Sequence, residues 1–256
     1  AHHARAQPTP KRVLSTVVSP RAMLSRAPRA MRGLALGARM MSKPSVAVLG
    51  SGPTAAAAKA AVGEWATVTD SANSAPYVLV VDGAPGSVKA DAVVAVPTCA
   101  DAAKLAAAVP TAKVVAVTAA PAVAAAAELA SKAGVATSEV ANVISWGSGF
   151  ADISHATVGG KWALTITDSP LPSPAVTPEA EVEAAVSTIK ALALGTDGAW
   201  VSMGVPAVGD FGTGTGVYYS VPVVCTPGDY KRVGGITLSP PVAAAMEASR
   251  ASLAGA

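Results

Sequence analysis

The sequence predicts an α/β fold, with a parallel, doubly wound sheet in its N-terminal half and an α+β arrangement in its C-terminal half. Short apolar runs alternate with helical segments as far as residue 145, a pattern typical of such a sheet. From Trp146 onward, strand-like runs come close together and are followed by helices. A basic segment precedes both halves. We therefore predict an extended arm at 1–43, a reduced sheet domain at 44–145 and a C-terminal domain at 146–256.

The arm is set apart by its charge. Residues 1–43 contain nine Arg or Lys and no acid, and the first acid of the chain is Glu64. The rest of the chain contains ten basic and sixteen acidic residues, a net charge of −6. An Arg-rich, Ser-bearing leader without acids is typical of an organelle transit peptide, and a disordered basic arm is the alternative. The acidic body argues against nucleic-acid binding there, and no apolar run reaches the roughly 18 residues that predict a membrane span.

The predicted sheet domain opens as a strand, a turn and a helix. Residues 45–49 are a short apolar run, Gly50 and Gly52 belong to a glycine turn, and the helix at 54–62 stops at Gly63. This order begins a βαβ unit, so the domain is expected to be Rossmann-like. Further strands are predicted at 66–69, 77–81, 92–96 and 113–117, and helices at 99–108 and 121–133.

The C-terminal half shows a different pattern. Residues 161–167 alternate at period two, which predicts a strand. A helix from Glu179 onward is predicted by Thr177 as N-cap, Pro178 in the first position and Gly195 as the stop. The pattern then predicts a strand at 199–205, two strands around a turn within 217–235, and a final helix at 241–253.

Four fragments in this half carry a resemblance. They are VANVISWG at 140–147, AWVSMGV at 199–205, VYYSVPVV at 217–224 and YKRVGGITLS at 230–239. In this order they resemble the malate dehydrogenase family, especially its cytosolic-type branch. The resemblance is clearest from about residue 128 onward, and in the first half it depends on the βαβ order. It implies a Rossmann-like domain followed by a malate dehydrogenase-like domain, here in a degenerate and shortened form.

The resemblance also implies a catalytic apparatus. In the family a histidine takes the hydroxyl proton, an aspartate orients that histidine, and arginines hold the substrate carboxylates. The histidine position corresponds to Gly149 in this chain. The aspartate and one arginine correspond to Pro121 and Ala124, or their segment is deleted. Residues 40–231 contain no arginine. The expectation is therefore a site without catalytic residues.

Two other side chains could be assigned to such a site. His155 could act as a relocated base, but it matches a non-catalytic histidine of the family, and a hydrogen-bonded loop histidine is the favoured interpretation. Ser202 matches a residue near the family's substrate pocket, and a structural role is favoured for it.

A reduced nucleotide site is the remaining candidate. Gly50, Gly52 and Ala55 give a GxGxxA pattern, and Asp70 lies where a ribose-binding acid is expected. Pro53 removes one backbone N–H that could meet a pyrophosphate. The favoured expectation is that this turn only joins strand and helix and that the chain has no cofactor. The alternative is that the turn still binds NAD in a vestigial way.

The two cysteines, Cys99 and Cys225, belong to no CxxC motif or Cys/His cluster. They predict two thiols in a reducing compartment and no metal site.

The joint absence of base, orienter and arginines predicts a pseudoenzyme. A fold retained without its site is expected to be retained for contacts. The prediction is a non-catalytic accessory subunit of a large organellar complex, in the mitochondrion or alternatively a plastid. Other subunits would be its partners, and the arm could contact a membrane surface. The alternatives are an NAD-binding regulatory module and an active oxidoreductase with an altered substrate.

Overall fold

An eight-stranded sheet forms the centre of the computed structural model. The structure describes residues 42–147, 149–167 and 175–254, with only the backbone at 252–254. Most of the predicted arm, residues 1–41, lies outside this range. The described residues from Lys43 onward form one compact unit.

Five parallel strands make one half of the sheet. The N-terminal strands are β1 (Ser45–Leu49), β2 (Thr67–Thr69), β3 (Tyr77–Val80), β4 (Val93–Val96) and β5 (Lys113–Val117), and the helices between and after them are α1 (Gly52–Gly63), α2 (Cys99–Ala108) and α3 (Ala120–Ala133). All four residues of β4 are buried, as expected for a parallel strand covered on both faces. These elements confirm the predicted α/β class and lie within one or two residues of the predicted bounds.

The C-terminal half contributes the remaining elements. They are β6 (Val140–Ala141), β7 (Ile144–Trp146), β8 (Phe150–Asp152), β9 (Thr157–Val158), β10 (Lys161–Trp162), α4 (Pro178–Leu194), β11 (Val201–Val208), β12 (Thr215–Thr226), β13 (Asp229–Arg232) and α5 (Pro240–Ala254). The large sheet has the order β13-β12-β11-β5-β4-β3-β1-β2. The three C-terminal strands, β11, β12 and β13, are antiparallel to their neighbours. The sheet is thus continuous across the segments 44–145 and 146–256, whose boundary remains a prediction.

The predicted strand at 161–167 is wrong beyond its first two residues. The backbone N–H of Ala163 donates to the carbonyl of Ala156, and the N–H groups of Ile166 and Thr167 turn back to the carbonyl of Ala163. The hydroxyl of Thr165 donates to the carbonyl of Trp162 at 2.7 Å. These bonds close a short 3-10 helix, so local hydrogen bonding overrides the period-two pattern.

Helix α4 follows its sequence signals. The hydroxyl of Thr177 accepts a hydrogen bond from the N–H of Ala180 at 3.3 Å, and Gly195 follows the last turn with φ +86°. Ile189 and Leu192 are fully buried. The helix packs against α1, α3 and the large sheet.

Strand β11 joins the two halves at Gly204. This residue pairs with Ala116 of β5, and a Cβ atom at position 204 would lie 2.7 Å from the Ala116 Cβ and 2.8 Å from the Cys99 Sγ. Both distances are shorter than any normal carbon contact. Glycine is therefore required for β11 to approach β5 and α2 closely enough to extend the sheet.

We predict that Gly204→Ala lowers the free energy of unfolding by about 1–3 kcal/mol, because the added methyl group overpacks this junction. Urea denaturation of the purified chain measures the change. Gly234→Ala is the matched control, since Gly234 is exposed and a Cβ there would have no neighbour within 4 Å. A Gly204→Ala chain as stable as the Gly234→Ala chain would contradict this account of the junction.

Candidate functional site

The candidate site lies where parallel strands end at one edge of the sheet. The glycine turn follows β1, Asp70 follows β2, Asp82 lies two residues beyond β3, and Pro97 follows β4. Ligands of open α/β sheets bind outside the carboxyl ends of the strands. The structure therefore places the predicted nucleotide residues and the predicted catalytic positions along the same edge.

Gly50 is required by the close packing of the turn. Its φ is +144°, and a Cβ atom there would lie 3.1 Å from the Ala55 Cβ and 3.2 Å from the Val81 Cβ. Gly52 also has a positive φ, +74°, but the space around it is open. The two glycines predicted for cofactor binding therefore have a structural reason to be glycine in this chain, whether or not a nucleotide binds.

The turn is bonded to a carboxylate of the chain itself. The backbone N–H of Ser51 donates to both oxygens of Asp82, at 3.0 Å and 3.2 Å. Ser51 is the N-cap of α1 and makes no side-chain cap, and Pro53 in the first turn has no N–H to offer. Helix N-termini favour anions, and the anion at this one is Asp82. A pyrophosphate at this turn would therefore compete with the Asp82 carboxylate for the Ser51 N–H.

Asp70 also has a partner. Its carboxylate lies 2.6 Å from the Nζ of Lys59 on α1. Its side chain is 81% exposed, so this ion pair contributes at most about 1 kcal/mol and would not by itself exclude a ribose. Asp70 thus occupies the predicted edge of the sheet, and its role in binding a nucleotide stays a prediction.

A cleft of about 290 Å³ lies beside this edge and contains the predicted catalytic positions. Its lining consists of Pro97, Thr98, Cys99, Val117, Thr118, Ala120, Pro121, Gly147 and Gly149. A Cβ atom at Gly149 would lie 3.4 Å from the Cγ of Pro121. The structure therefore brings together the two positions that the resemblance assigns to the base and its orienter. Ala124, the predicted arginine position, does not line the cleft.

The cleft offers two hydroxyls and one thiol. Among the described lining residues, Cys99 alone has a titratable side chain, and burial raises the pKa of its thiol to about 11. At neutral pH this thiol stays protonated, so it is a weak base and a weak nucleophile. The hydroxyl of Thr118 is engaged with the Oγ of Ser220 at 2.7 Å. None of these groups supplies a base near neutral pH.

Ser202 has a structural partner. Its Oγ accepts a hydrogen bond from the backbone N–H of Ser145 at 2.8 Å, and the hydroxyl of Ser220 donates to the carbonyl of Ser145 at 2.6 Å. The three serines are buried and join β7 to β11 and β12. Ser202 therefore holds the strand that leads to the cleft.

His155 is held away from the cleft lining. Its Nε2–H donates to the carbonyl of Thr237 at 3.2 Å, and its ring centroid lies 6.3 Å from that of Trp200. The nearest sequence acid, Asp152, is buried and accepts hydrogen bonds from the Trp146 indole N–H at 3.0 Å and the Ser154 N–H at 2.8 Å. Both carboxylate oxygens of Asp152 thus have structural partners.

Sequence reasoning missed Asp82. The available signal was its position just beyond a predicted buried strand, because carboxyl ends of neighbouring parallel strands meet at one edge. The residue begins a glycine-containing loop, a context that by itself indicates no binding role. Its contact with Ser51, 31 residues earlier, becomes apparent only when β1 and β3 are paired.

Comparisons with known proteins agree with this architecture. Residues 180–255 match the family model described as the lactate/malate dehydrogenase alpha/beta C-terminal domain. The structure is similar to malate dehydrogenase from Naegleria fowleri, with a TM-score of 0.65 and 17% identity over 83% of this chain and 96% of that chain. It is also similar to malate dehydrogenase from Cryptosporidium parvum, with a TM-score of 0.65 and 14% identity over 83% and 97% of the two chains.

A third similar structure is Trichomonas vaginalis lactate dehydrogenase in complex with NADH and oxamate, with a TM-score of 0.64 and 16% identity over 83% of this chain and 96% of that one. At such identities the likeness shows the fold. The resemblance predicted from the sequence fragments is therefore confirmed: the chain has a malate dehydrogenase-like fold, and its residues 180–255 match the C-terminal domain of the lactate/malate dehydrogenases.

Proposed function

We propose that this chain is a non-catalytic, malate dehydrogenase-like accessory subunit of a large organellar complex, with the mitochondrion as the organelle and a plastid as the alternative. The observation that carries the proposal is the cleft in which Gly149 and Pro121 face each other. Hydride transfer from a 2-hydroxy acid needs a base for the hydroxyl proton and a cation for the carboxylate. The described lining of this cleft provides two hydroxyls and a protonated thiol instead.

The arginines of the body support the same proposal. Beyond the arm the sequence contains only Arg232 and Arg250. The guanidinium of Arg232 lies 3.6 Å from the carboxylate of Asp210, and Arg250 pairs with Glu247 one helical turn away. Neither residue lines the 290 Å³ cleft. Bidentate recognition of a dicarboxylic acid would need a guanidinium in that cleft.

The charge of the arm is consistent with a structural role in which the chain binds other molecules. The arm carries nine positive charges, and the body has a net charge of −6 without an acidic run. The sequence of the body therefore contains no acidic run that could pair with the arm. In the proposal its partners are acidic or grooved surfaces of other subunits, or anionic lipid headgroups at a membrane face.

Two other functions remain candidates. The first is an NAD-binding regulatory module using Gly50, Gly52 and Asp70, which is favoured by their common position at the carboxyl edge of the sheet. A dissociation constant for NADH below about 100 μM, roughly 5.5 kcal/mol of binding free energy, would favour it. The second is an oxidoreductase with an altered substrate that uses His155.

We expect the purified full chain to oxidise neither malate nor lactate with NAD or NADP, because it lacks groups that each contribute orders of magnitude in rate. The absorbance of the reduced nicotinamide follows turnover. His155→Ala is the matched control. Turnover that survives purification and disappears in His155→Ala would identify an active oxidoreductase and overturn the proposal.

Gly149→His is expected not to create activity. The new imidazole would face Pro121 instead of a carboxylate, and a φ of +121° at this position adds about 1–3 kcal/mol of backbone strain for any side chain. Gly149→Ala carries the same strain without the imidazole, so both variants should melt at similarly lowered temperatures. Malate-dependent NADH formation by Gly149→His but not by Gly149→Ala would show that the remaining catalytic groups are present.

Deletion of residues 1–40 is expected to leave the body folded with little change in melting temperature, because β1 begins at Ser45. The same deletion should release the chain from its assembly, which sedimentation of an organelle extract would show. A variant with glutamine in place of the arm arginines is the control for the deletion, because it keeps the length of the arm and removes most of its charge. If the truncated chain unfolds while the full-length protein is a stable free monomer, the tether hypothesis is wrong.

A further inference from the structure

We infer that the carboxylate of Asp82 takes the place of a phosphate group at the glycine turn and thereby excludes nucleotides from this edge of the sheet. The inference deepens the proposed function. It rests on that proposal in one respect, because both hold that the chain carries out no cofactor-dependent reaction. It is carried by three observations: the bonds of Asp82, the packing of Gly50 and the charge of the neighbouring cavity.

The first observation is the position of the carboxylate. Both oxygens of Asp82 accept the backbone N–H of Ser51, at 3.0 Å and 3.2 Å. Ser51 precedes the first residue of α1, and the first turn of this helix contains no acid of its own. The N–H groups at such a strand–turn–helix junction are those that bind phosphate oxygens in dinucleotide-binding folds. Asp82 therefore uses the donor that a phosphate would need.

The second observation is how closely the turn packs on the end of β3. A Cβ atom at Gly50 would lie 3.3 Å from the Cγ of Asp82 and 3.2 Å from the Cβ of Val81. The missing side chain of Gly50 is what lets the carboxylate approach the turn. A phosphate could bind Ser51 only after this carboxylate moved away. If the carboxylate stayed nearby, two negative charges would lie within a few ångströms of each other and repel.

The third observation is the charge of the space next to the turn. A cavity of about 320 Å³ adjoins it, lined on one side by Thr54 of α1 and by Val80 and Val81, and on the other by α4. Glu181 of α4 is the one charged side chain among the described residues that line this cavity. A dinucleotide that extended from the turn into this cavity would meet a second carboxylate and, among the described lining residues, no cation.

The test uses ADP as the probe, because ADP carries the pyrophosphate and one ribose. Calorimetric titration of the full chain at low salt compares the wild type with Asp82→Ala. We expect Asp82→Ala to bind ADP at least ten-fold more tightly than the wild type, which corresponds to about 1.4 kcal/mol. Adenosine, which has no phosphate, should show no such gain.

Asp91→Ala is the matched control for charge. Asp91 is exposed and precedes β4, so it lies at the opposite edge of the sheet from the turn, and its removal changes the net charge by the same amount. Asp82→Asn keeps an oxygen that can accept the Ser51 N–H and removes only the charge, so its gain for ADP should be smaller than that of Asp82→Ala. If Asp82→Ala fails to fold, Asp82→Asn carries the test and must still bind ADP more tightly than the wild type.

Unchanged ADP affinity in the folded Asp82 variants would overturn the inference. An equal gain for adenosine, or an equal gain in Asp91→Ala, would overturn it as well, since neither depends on a phosphate at this turn. These results leave the proposed function standing if the chain has no dehydrogenase activity. Turnover of NAD by the wild type, with Asp82 in place, would overturn both.

Discussion

The close approach of β11 to β5 is the constraint on which the arrangement of this protein depends. It is possible only because position 204 lacks a side chain, and it extends five parallel strands by three antiparallel ones. Buried serines then attach β7 to this junction, since the N–H and carbonyl of Ser145 are bonded to Ser202 and Ser220. Strand β7 ends at Trp146, so the junction fixes where the next residues, Gly147 and Gly149, meet the end of β5.

The same packing explains why the cleft has its present lining. A Cβ atom at Gly147 would lie 2.0 Å from the Oγ of Ser249 and 2.6 Å from the hydroxyl oxygen of Tyr219, so α5 and β12 close tightly over this turn. The positions that face each other in the cleft are Gly149 and Pro121, and neither residue has a side chain that can take up or release a proton. The shape of the cleft is thus set by strand pairing and buried hydrogen bonds, which place no requirement on its chemistry.

The sequence predicted most elements because their signals are local. Helix α2 begins and ends where its pattern predicts, and the hydroxyl of Thr98 caps it by accepting the N–H of Asp101 at 3.1 Å. The strand predicted at 161–167 extends too far, because apolar and polar residues alternate there. Such alternation is compatible both with a strand and with a chain that turns back at Ala163. The candidate nucleotide site was predicted from the glycine spacing and the position of Asp70. Neither signal distinguishes a turn that binds phosphate from one that binds a carboxylate of its own chain.

The sequence by itself determined the α/β class, the helix ends and the residue types available for chemistry, because these depend on side-chain identity and on periodicity along the chain. It showed glycine at the position where the resemblance expects a base, and proline at the position of the orienter unless that segment is deleted. Only the tertiary structure decided that these two positions face each other, that the sheet continues across both halves, and that Asp82 reaches Ser51. Each of these contacts joins residues far apart in the chain, and they meet because parallel strands bring their carboxyl ends to one edge.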